Sequence, residues 1–145
     1  MPSTITGTME NVLADTYALY LKTQNYHWNI TGPNFRDYHL LLQDMYEALA
    51  LAVDELAEQI RIIGRPVPAT FDFLKSKTCL KDPDCTLPAK GMLTDLLADH
   101  QLLLKTIKTA LDETDDTDDV GTEDLLIERV RYHTKTIWFL KSICQ

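Results

Sequence analysis

The chain has 145 residues, of which 45% are hydrophobic and 25% charged, and its formal net charge is −8. This length predicts one domain with a sizeable core, and the composition excludes a disordered chain. No apolar run approaches the roughly 18 residues of a membrane helix, and no secretion signal is recognisable. Three cysteines do not make a disulfide framework, which favours a cytoplasmic location. The negative charge disfavours DNA and anionic lipid as partners and favours cations.

Two long helices are predicted in the first half of the chain. The first runs from about Gly7 to Asn29, and the second from about Phe35 to Ile63, with apolar residues close to a 3.5-residue repeat. Glycine and proline residues end both helices. The apolar positions predicted to form their stripes are Leu13, Tyr17, Tyr20, Leu21 and Trp28 in the first helix, and Leu41, Met45, Leu49, Ala52, Val53, Leu56, Ile60 and Ile63 in the second.

The second half begins with a connector, residues 69–88, in which the sequence TFDFLKSK is compatible with a short amphipathic helix. A third long helix starts near Pro88 or Ala89, because proline is favoured in a first turn. An acidic loop, residues 112–121, separates it from a fourth helix that Thr122 is expected to cap.

Four amphipathic helices and no strand pattern predict an all-α fold that occupies residues 1–145 as a single domain. The one long connection lies between the second and third long helices. This arrangement is typical of ferritin-like four-helix bundles.

The face of the second helix opposite its apolar stripe is polar, and the usual interpretation is a solvated surface. Two copies of the helix, antiparallel about an axis near residues 48 and 49, would however place His39 opposite Glu58 of the other copy. Gln43 would then face Asp54 of the other copy. Within one chain His39 and Glu58 lie roughly 28 Å apart along the helix, so they cannot share a metal. The residues of this face are His39, Gln43, Glu47, Ala50, Asp54, Ala57, Glu58 and Arg61.

His27 lies near the end of the first helix, which an antiparallel neighbour brings beside the start of the second. His27 and His39 are therefore expected to approach each other. Two imidazoles with Asp54 and Glu58 would make a nitrogen and oxygen site that suits iron, with manganese, zinc or cobalt as alternatives. Periodicity alone leaves a purely structural role for these residues open.

Three segments resemble the Dps miniferritins, the DNA-binding proteins from starved cells. They are YHWNITGPNFRDYH at 26–39, DELAEQI at 54–60 and TIWFLKS at 136–142. The resemblance extends over essentially the whole chain. It implies a ferritin-like subunit, a hollow homododecamer, and ferroxidase sites between subunits. There Fe²⁺ would be oxidised, usually by hydrogen peroxide, and stored as ferric mineral, which protects the cell from oxidative stress.

The resemblance also implies a set of site residues. His27 and His39 of one chain and Asp54 and Glu58 of its partner would be the ligands. Trp28 would lie beside them, either as a hydrogen-bond donor or radical interceptor or as simple packing.

Gln43 departs from the family, which usually has an acid four positions after the second histidine, so the second iron position is weakened. The resemblance also implies a pore role for Asp115 in the acidic loop and for Asp124 shortly after it, because they match acids that line iron-entry pores in the family, although a solvated loop is the simpler interpretation.

The remaining features are less specific. No Lys or Arg occurs in residues 1–9 or after Lys141, so weak DNA binding or none is expected, against the alternative of a nucleoid-binding stress protein. A second alternative is a shell protein with weakened ferroxidase chemistry. Cys79 and Cys85 are free thiols by default, with oxidation to a disulfide or soft-metal binding left open, and Cys144, His100 and His133 are assigned to packing or surface roles.

Overall fold

The computed structural model describes residues 3–145, with side chains from residue 5 onward, and in that range it contains five helices and no strand. The helices are α1 (Ser3–Asn29), α2 (Phe35–Ile62), α3 (Phe71–Lys77), α4 (Ala89–Asp112) and α5 (Val120–Cys144). The all-α four-helix bundle with a short helix in its long connector is therefore confirmed. None of the helices in the described range is both long and apolar enough to cross a membrane.

The first two helices form an antiparallel pair because the chain reverses within five residues. Gly32 has a φ of 117°, a conformation that side chains with a Cβ rarely adopt, and Phe35 N donates to Gly32 O at 3.1 Å. The result brings the end of α1 beside the start of α2, as the sequence predicted. The connector between α2 and α4 carries α3, which packs against α1.

Two helices begin earlier than the sequence predicted. In the described range α1 already starts at Ser3 rather than near Gly7. The prediction that Thr122 caps the last helix is wrong, because the Asp119 carboxylate accepts from Thr122 N at 3.1 Å and α5 begins at Val120. An aspartate satisfies the free N–H groups of a first turn at least as well as a threonine.

The buried face of α2 is close to the prediction, whereas that of α1 differs. Leu13 is buried as predicted, but Tyr17, Leu21 and Trp28 are exposed. The core also takes Met9, Leu19 and other residues outside the predicted stripe. The reason is that α1 contacts α2, α3 and α4, so several of its faces are covered and a single apolar stripe does not describe it. The fully buried core residues of α2 are Leu42, Leu49, Leu56 and Ile60, with Met45 and Ala52 nearly so.

A buried ionic network joins α1 to α4 and to the connector. Lys22 Nζ lies 2.8 Å from the Asp99 carboxylate and 3.0 Å from that of Asp95, and it donates to Lys81 O at 3.1 Å. Tyr26 donates its hydroxyl to Asp95. Burial is the main cause that raises the pKa of Asp99 to about 6, against the lowering effect of Lys22. The network fixes the connector to the bundle through long-range contacts.

A second anchor of the connector is Asp15, which is buried in α1. Its carboxylate accepts from Thr78 Oγ1 at 2.7 Å, from Cys79 N at 2.9 Å and from Thr106 Oγ1 at 2.9 Å. The Cys79 thiol also donates to it, and burial followed by the nearby Asp15 charge raises the pKa of that thiol. The three cysteines are free, and a thiol held in its protonated form is a weak nucleophile.

His100 and His133 form a pair inside the bundle core, where both are fully buried. Their Nδ1 atoms are 2.8 Å apart, and Arg129 Nη2 lies 3.4 Å from His133 Nε2. Because the guanidinium can only donate, His133 carries its proton on Nδ1, and His100 accepts there. His100 Nε2 therefore carries the other proton and has no hydrogen-bond partner among the described residues. Of the two roles assigned to these histidines, packing is the one the structure shows.

Candidate metal site

Two imidazoles, one from α1 and one from α2, stack on each other beside the turn that joins the helices. The ring centroids of His27 and His39 are 3.8 Å apart, and the ring planes differ by 13°. His27 Nδ1 lies 2.7 Å from His39 O, and His39 Nδ1 lies 2.7 Å from His27 O. The two residues thus hold each other through reciprocal contacts with the backbone. His27 is buried and His39 is half-buried.

These two hydrogen bonds fix the protonation of both rings. A carbonyl oxygen can only accept, so each Nδ1 must carry a proton and donate. In the neutral form each Nε2 then keeps its lone pair free. A metal-binding histidine commonly donates its other nitrogen to a carbonyl in this way, which fixes the tautomer and orients the ring. The donor set therefore fits a metal ion on its nitrogen side.

The parallel stacking limits how the two imidazoles can share metal ions. An imidazole lone pair lies in the plane of its ring, and two nearly parallel planes separated by the stacking distance do not converge on one point. A bound transition metal sits roughly 2 Å from its nitrogen ligand. The pair therefore suits two neighbouring metal positions, one for each ring, better than a single shared ion.

Two further aromatic rings support the pair, and neither was predicted from the sequence as part of the site. Phe35 stacks on His39 with ring centroids 4.9 Å apart, and Tyr46 meets His27 edge to face at 5.1 Å. Tyr46 follows His39 by seven residues on α2, so heptad spacing could have placed it on the same face. Nothing in the periodicity indicates the reciprocal backbone contacts.

The expected carboxylates lie elsewhere on the same helix. Asp54 and Glu58 are exposed on neighbouring turns of α2, and Asp54 is roughly 22 Å along the helix from His39. In the described residues of one chain, no three His, Cys, Asp or Glu side chains come together to hold a metal. The structure thus brings the two histidines together and leaves the two carboxylates apart from them. Their role as ligands stays a prediction that needs a second chain.

The position that departs from the expected pattern is on the same side of α2. Gln43 is half-buried, one turn after His39, and its Nε2 donates to Glu47 Oε2 at 3.4 Å. An amide oxygen is a neutral ligand, whereas a carboxylate supplies negative charge to a cation. Glu47 lies one further turn from the imidazoles and is exposed.

The other predicted residues are all at the surface. Trp28 follows His27 on α1 and is 63% exposed, with no ring contact to either imidazole in the described part of the chain. Asp115 is exposed in the turn before α5, and Asp124 is exposed in the second turn of α5. Asp124 lines a depression of about 290 Å³ together with Glu58, Glu55 and Glu128. The proposed pore role of Asp115 and Asp124 stays a prediction.

Comparison with known proteins assigns this geometry to a family. The ferritin-like domain family matches residues 8–145. A low temperature-induced protein of Nostoc sp. is 34% identical over 92% of this chain and 75% of its own length. The crystal structure of a Dps protein from Bacillus brevis has a TM-score of 0.95 and 27% identity, covering 99% of this chain and 96% of that one.

A second solved structure is described as a member of a broad superfamily of ferritin-like diiron-carboxylate proteins. It is the Dps protein of Vibrio cholerae O1, with a TM-score of 0.94 and 26% identity over 99% of this chain and 90% of that one. In both cases the match extends over nearly the whole of each chain. The chain belongs to the ferritin-like family and, within it, to the Dps miniferritins.

Proposed function

We propose that this protein stores iron and protects against oxidative stress as the subunit of a hollow homododecamer. Fe²⁺ binds at sites between subunits, hydrogen peroxide accepts its electrons, and ferric mineral accumulates inside. Membership of the Dps miniferritins supports the iron-storage and stress-protection role in general. The finer assignment depends mainly on the stacked His27 and His39, which present two free Nε2 atoms with fixed tautomers.

The second chain is required by the position of the carboxylates. An antiparallel arrangement of two α2 helices about a two-fold axis near residues 48 and 49 brings Asp54 and Glu58 of one chain to His39 of the other. Leu51 lies beside this axis and is 70% exposed, so it is available to pack against the other chain. A two-fold interface would cover it twice and create two equivalent sites.

The expected chemistry follows from the ligands. Carboxylates stabilise Fe³⁺ more than Fe²⁺ because the extra charge is attracted more strongly, so they favour electron loss. Consumption of Fe²⁺ and peroxide at one place keeps the two reagents from forming hydroxyl radicals in solution. We place this activity in the cytoplasm, and we expect acidic residues Asp115 and Asp124 to attract Fe²⁺ toward the interior.

The first experiment measures iron oxidation. Fe²⁺ and peroxide are added to the protein without oxygen, and absorbance reports the ferric product. His39→Ala or Asp54→Ala should abolish the rapid phase. Asp44→Ala is the matched control for Asp54→Ala, because Asp44 is another exposed acid of α2 that lies off the proposed site. If all three variants react like the parent, the polar face of α2 is only a solvated surface.

A complementation experiment tests whether the sites are shared. A dimer of one His39→Ala chain and one Asp54→Ala chain has one site with both defects and one intact site. Random co-assembly makes half of the dimers mixed, so a quarter of all sites recover. Shells that are mixed after separate assembly should not recover. Equal activity in the two mixtures, or no recovery after co-expression, would contradict a shared site.

A further inference from the structure

A row of three tyrosine rings leads away from the imidazole pair along the contact of α1 with α2. Tyr46 meets His27 with ring centroids 5.1 Å apart, Tyr20 meets Tyr46 at 6.1 Å, and Tyr17 meets Tyr20 at 6.0 Å. Each contact is edge to face, with interplanar angles of 69°, 66° and 77°. Tyrosine can lose one electron with its phenolic proton, and ring contacts this short allow fast electron movement between neighbours.

The proposed reaction requires an additional electron donor of this kind. Peroxide needs two electrons to become two waters, and one ferrous ion supplies only one. Two irons held together would supply both, but the position one turn after His39 is the neutral Gln43, whose amide donates toward Glu47. A site that holds one iron firmly and a second weakly would release a hydroxyl radical from peroxide unless another group supplied the missing electron.

We infer that Tyr46 is that second donor, and that Tyr20 and Tyr17 carry the oxidation away from the site. This inference rests on the proposed function. The balanced step is Fe²⁺ + Tyr–OH + H₂O₂ + H⁺ → Fe³⁺ + Tyr–O• + 2 H₂O. Iron and tyrosine each lose one electron, the O–O bond of peroxide breaks, and both oxygens become water. The phenolic proton and one proton from solvent complete the two waters.

Other aromatic residues near the histidines are poorer donors by position. Trp28 is mostly exposed and makes no ring contact with His27 or His39 among the described residues. Tyr26 donates its hydroxyl to Asp95, and burial followed by that hydrogen bond raises its pKa above the ordinary value. The Tyr26 hydroxyl is therefore hydrogen-bonded to the ionic network of α4 and not directed to the imidazoles.

The test combines rapid freezing with electron paramagnetic resonance. The parent protein is loaded with Fe²⁺ without oxygen, mixed with peroxide and frozen at increasing times. We expect a tyrosyl radical signal that appears together with the ferric product, and about equal consumption of ferrous ion and peroxide. Tyr46→Phe keeps the ring but cannot give up a phenolic hydrogen. It should lose the tyrosyl signal and increase the yield of a hydroxyl-radical spin adduct, with unchanged anaerobic iron binding.

Two further variants make the result specific. Tyr132→Phe is the matched control, since Tyr132 is also half-buried but its ring contacts are with His100 and His133 in the core. It should behave like the parent. Gln43→Asp restores an acid, so two irons should supply both electrons and the tyrosyl signal should fall.

The outcomes separate this inference from the proposed function. If the parent oxidises two ferrous ions for each peroxide without a radical, or if Tyr46→Phe keeps the parent signal, the role of Tyr46 is refuted while ferroxidase activity stands. If no form of the protein accelerates iron oxidation, the proposed function fails and the inference falls with it.

Discussion

Replacement of Lys22 by methionine should destabilise the fold strongly, because Lys22 is the one cation of the ionic network between α1 and α4 among the described residues. Lys22 is 2% exposed and Asp99 4%, so water cannot replace the lost partner easily. Breaking a buried ion pair from one side costs about 3–5 kcal/mol. Methionine keeps most of the aliphatic volume of lysine, so a packing defect contributes little to this value.

The cost should depend on pH through Asp99, whose pKa is about 6 in the fold against an ordinary value of 3.8. That difference of about 2 units means that the charged form of Asp99 is disfavoured in the fold by about 3 kcal/mol, as the net result of burial and the opposing effect of Lys22. Between pH 3.8 and 6 the folded chain binds more protons than the unfolded chain, so the contribution of Asp99 to stability falls as the pH rises. Without Lys22 the pKa of Asp99 rises further, so the loss of folding stability caused by the charged Asp99 becomes larger above pH 6.

Urea unfolding followed by circular dichroism measures both effects. A loss of this size lowers the midpoint by about 2 M at pH 7, for a slope of about 2 kcal/mol per molar. The loss should shrink at pH 5, where Asp99 is protonated with or without Lys22. Lys22→Met with Asp99→Asn should recover stability at pH 7, and exposed Lys105→Met is the neutral control. A double variant no more stable than Lys22→Met would refute the argument that a buried charge causes the loss.

Three further predictions concern other parts of the molecule. Burial first, and then the charge of Arg129, lower the pKa of His100 to about 3. The contribution of His100 to stability is therefore complete above pH 6.5 and is lost as the pH falls. The His100→Leu variant should lose less stability than the parent between pH 7 and pH 4 in urea titrations. Gln43→Asp should tighten binding of a second Fe²⁺ in anaerobic titration, and equal affinity for two irons in the parent would contradict this. A chain with a net charge of −8 should not shift DNA in a mobility assay at physiological salt without divalent ions, whereas a salt-sensitive shift would reveal a basic patch.

The second helix was predictable because one side of it is buried and the other is not. Its apolar positions follow a single repeat, and the buried Leu49, Leu56 and Ile60 lie where that repeat places them. The turn after α1 was predictable for a local reason, since Gly32 and its neighbours exclude a continuous helix. Because this turn places the end of α1 beside the start of α2, the approach of His27 and His39 was also predictable from the sequence.

The first helix was harder to predict because its surroundings include α4 and the connector. Thr16 and Thr23 are buried there, and each satisfies its hydroxyl by donating to the carbonyl four residues earlier at 2.7 Å. Lys22 and Asp15 are buried by contacts with residues more than fifty positions away. Periodicity carries no information about such partners, so charged residues in a buried face look like surface residues in the sequence.

One chain alone orients part of the candidate site, and the rest of the site requires a second chain. The reciprocal hydrogen bonds of His27 and His39 lie within one chain, so the two imidazoles are already oriented in a single chain. Under the proposed function the carboxylates join them only when two α2 helices meet. Metal binding and assembly are then linked: an ion that binds only the paired form stabilises the pair, and conditions that favour pairing raise the apparent affinity for the ion. On this proposal, we expect the neutral Gln43 to weaken this linkage at one metal position and to leave it intact at the other, so iron occupancy and the source of the second electron belong to the same question.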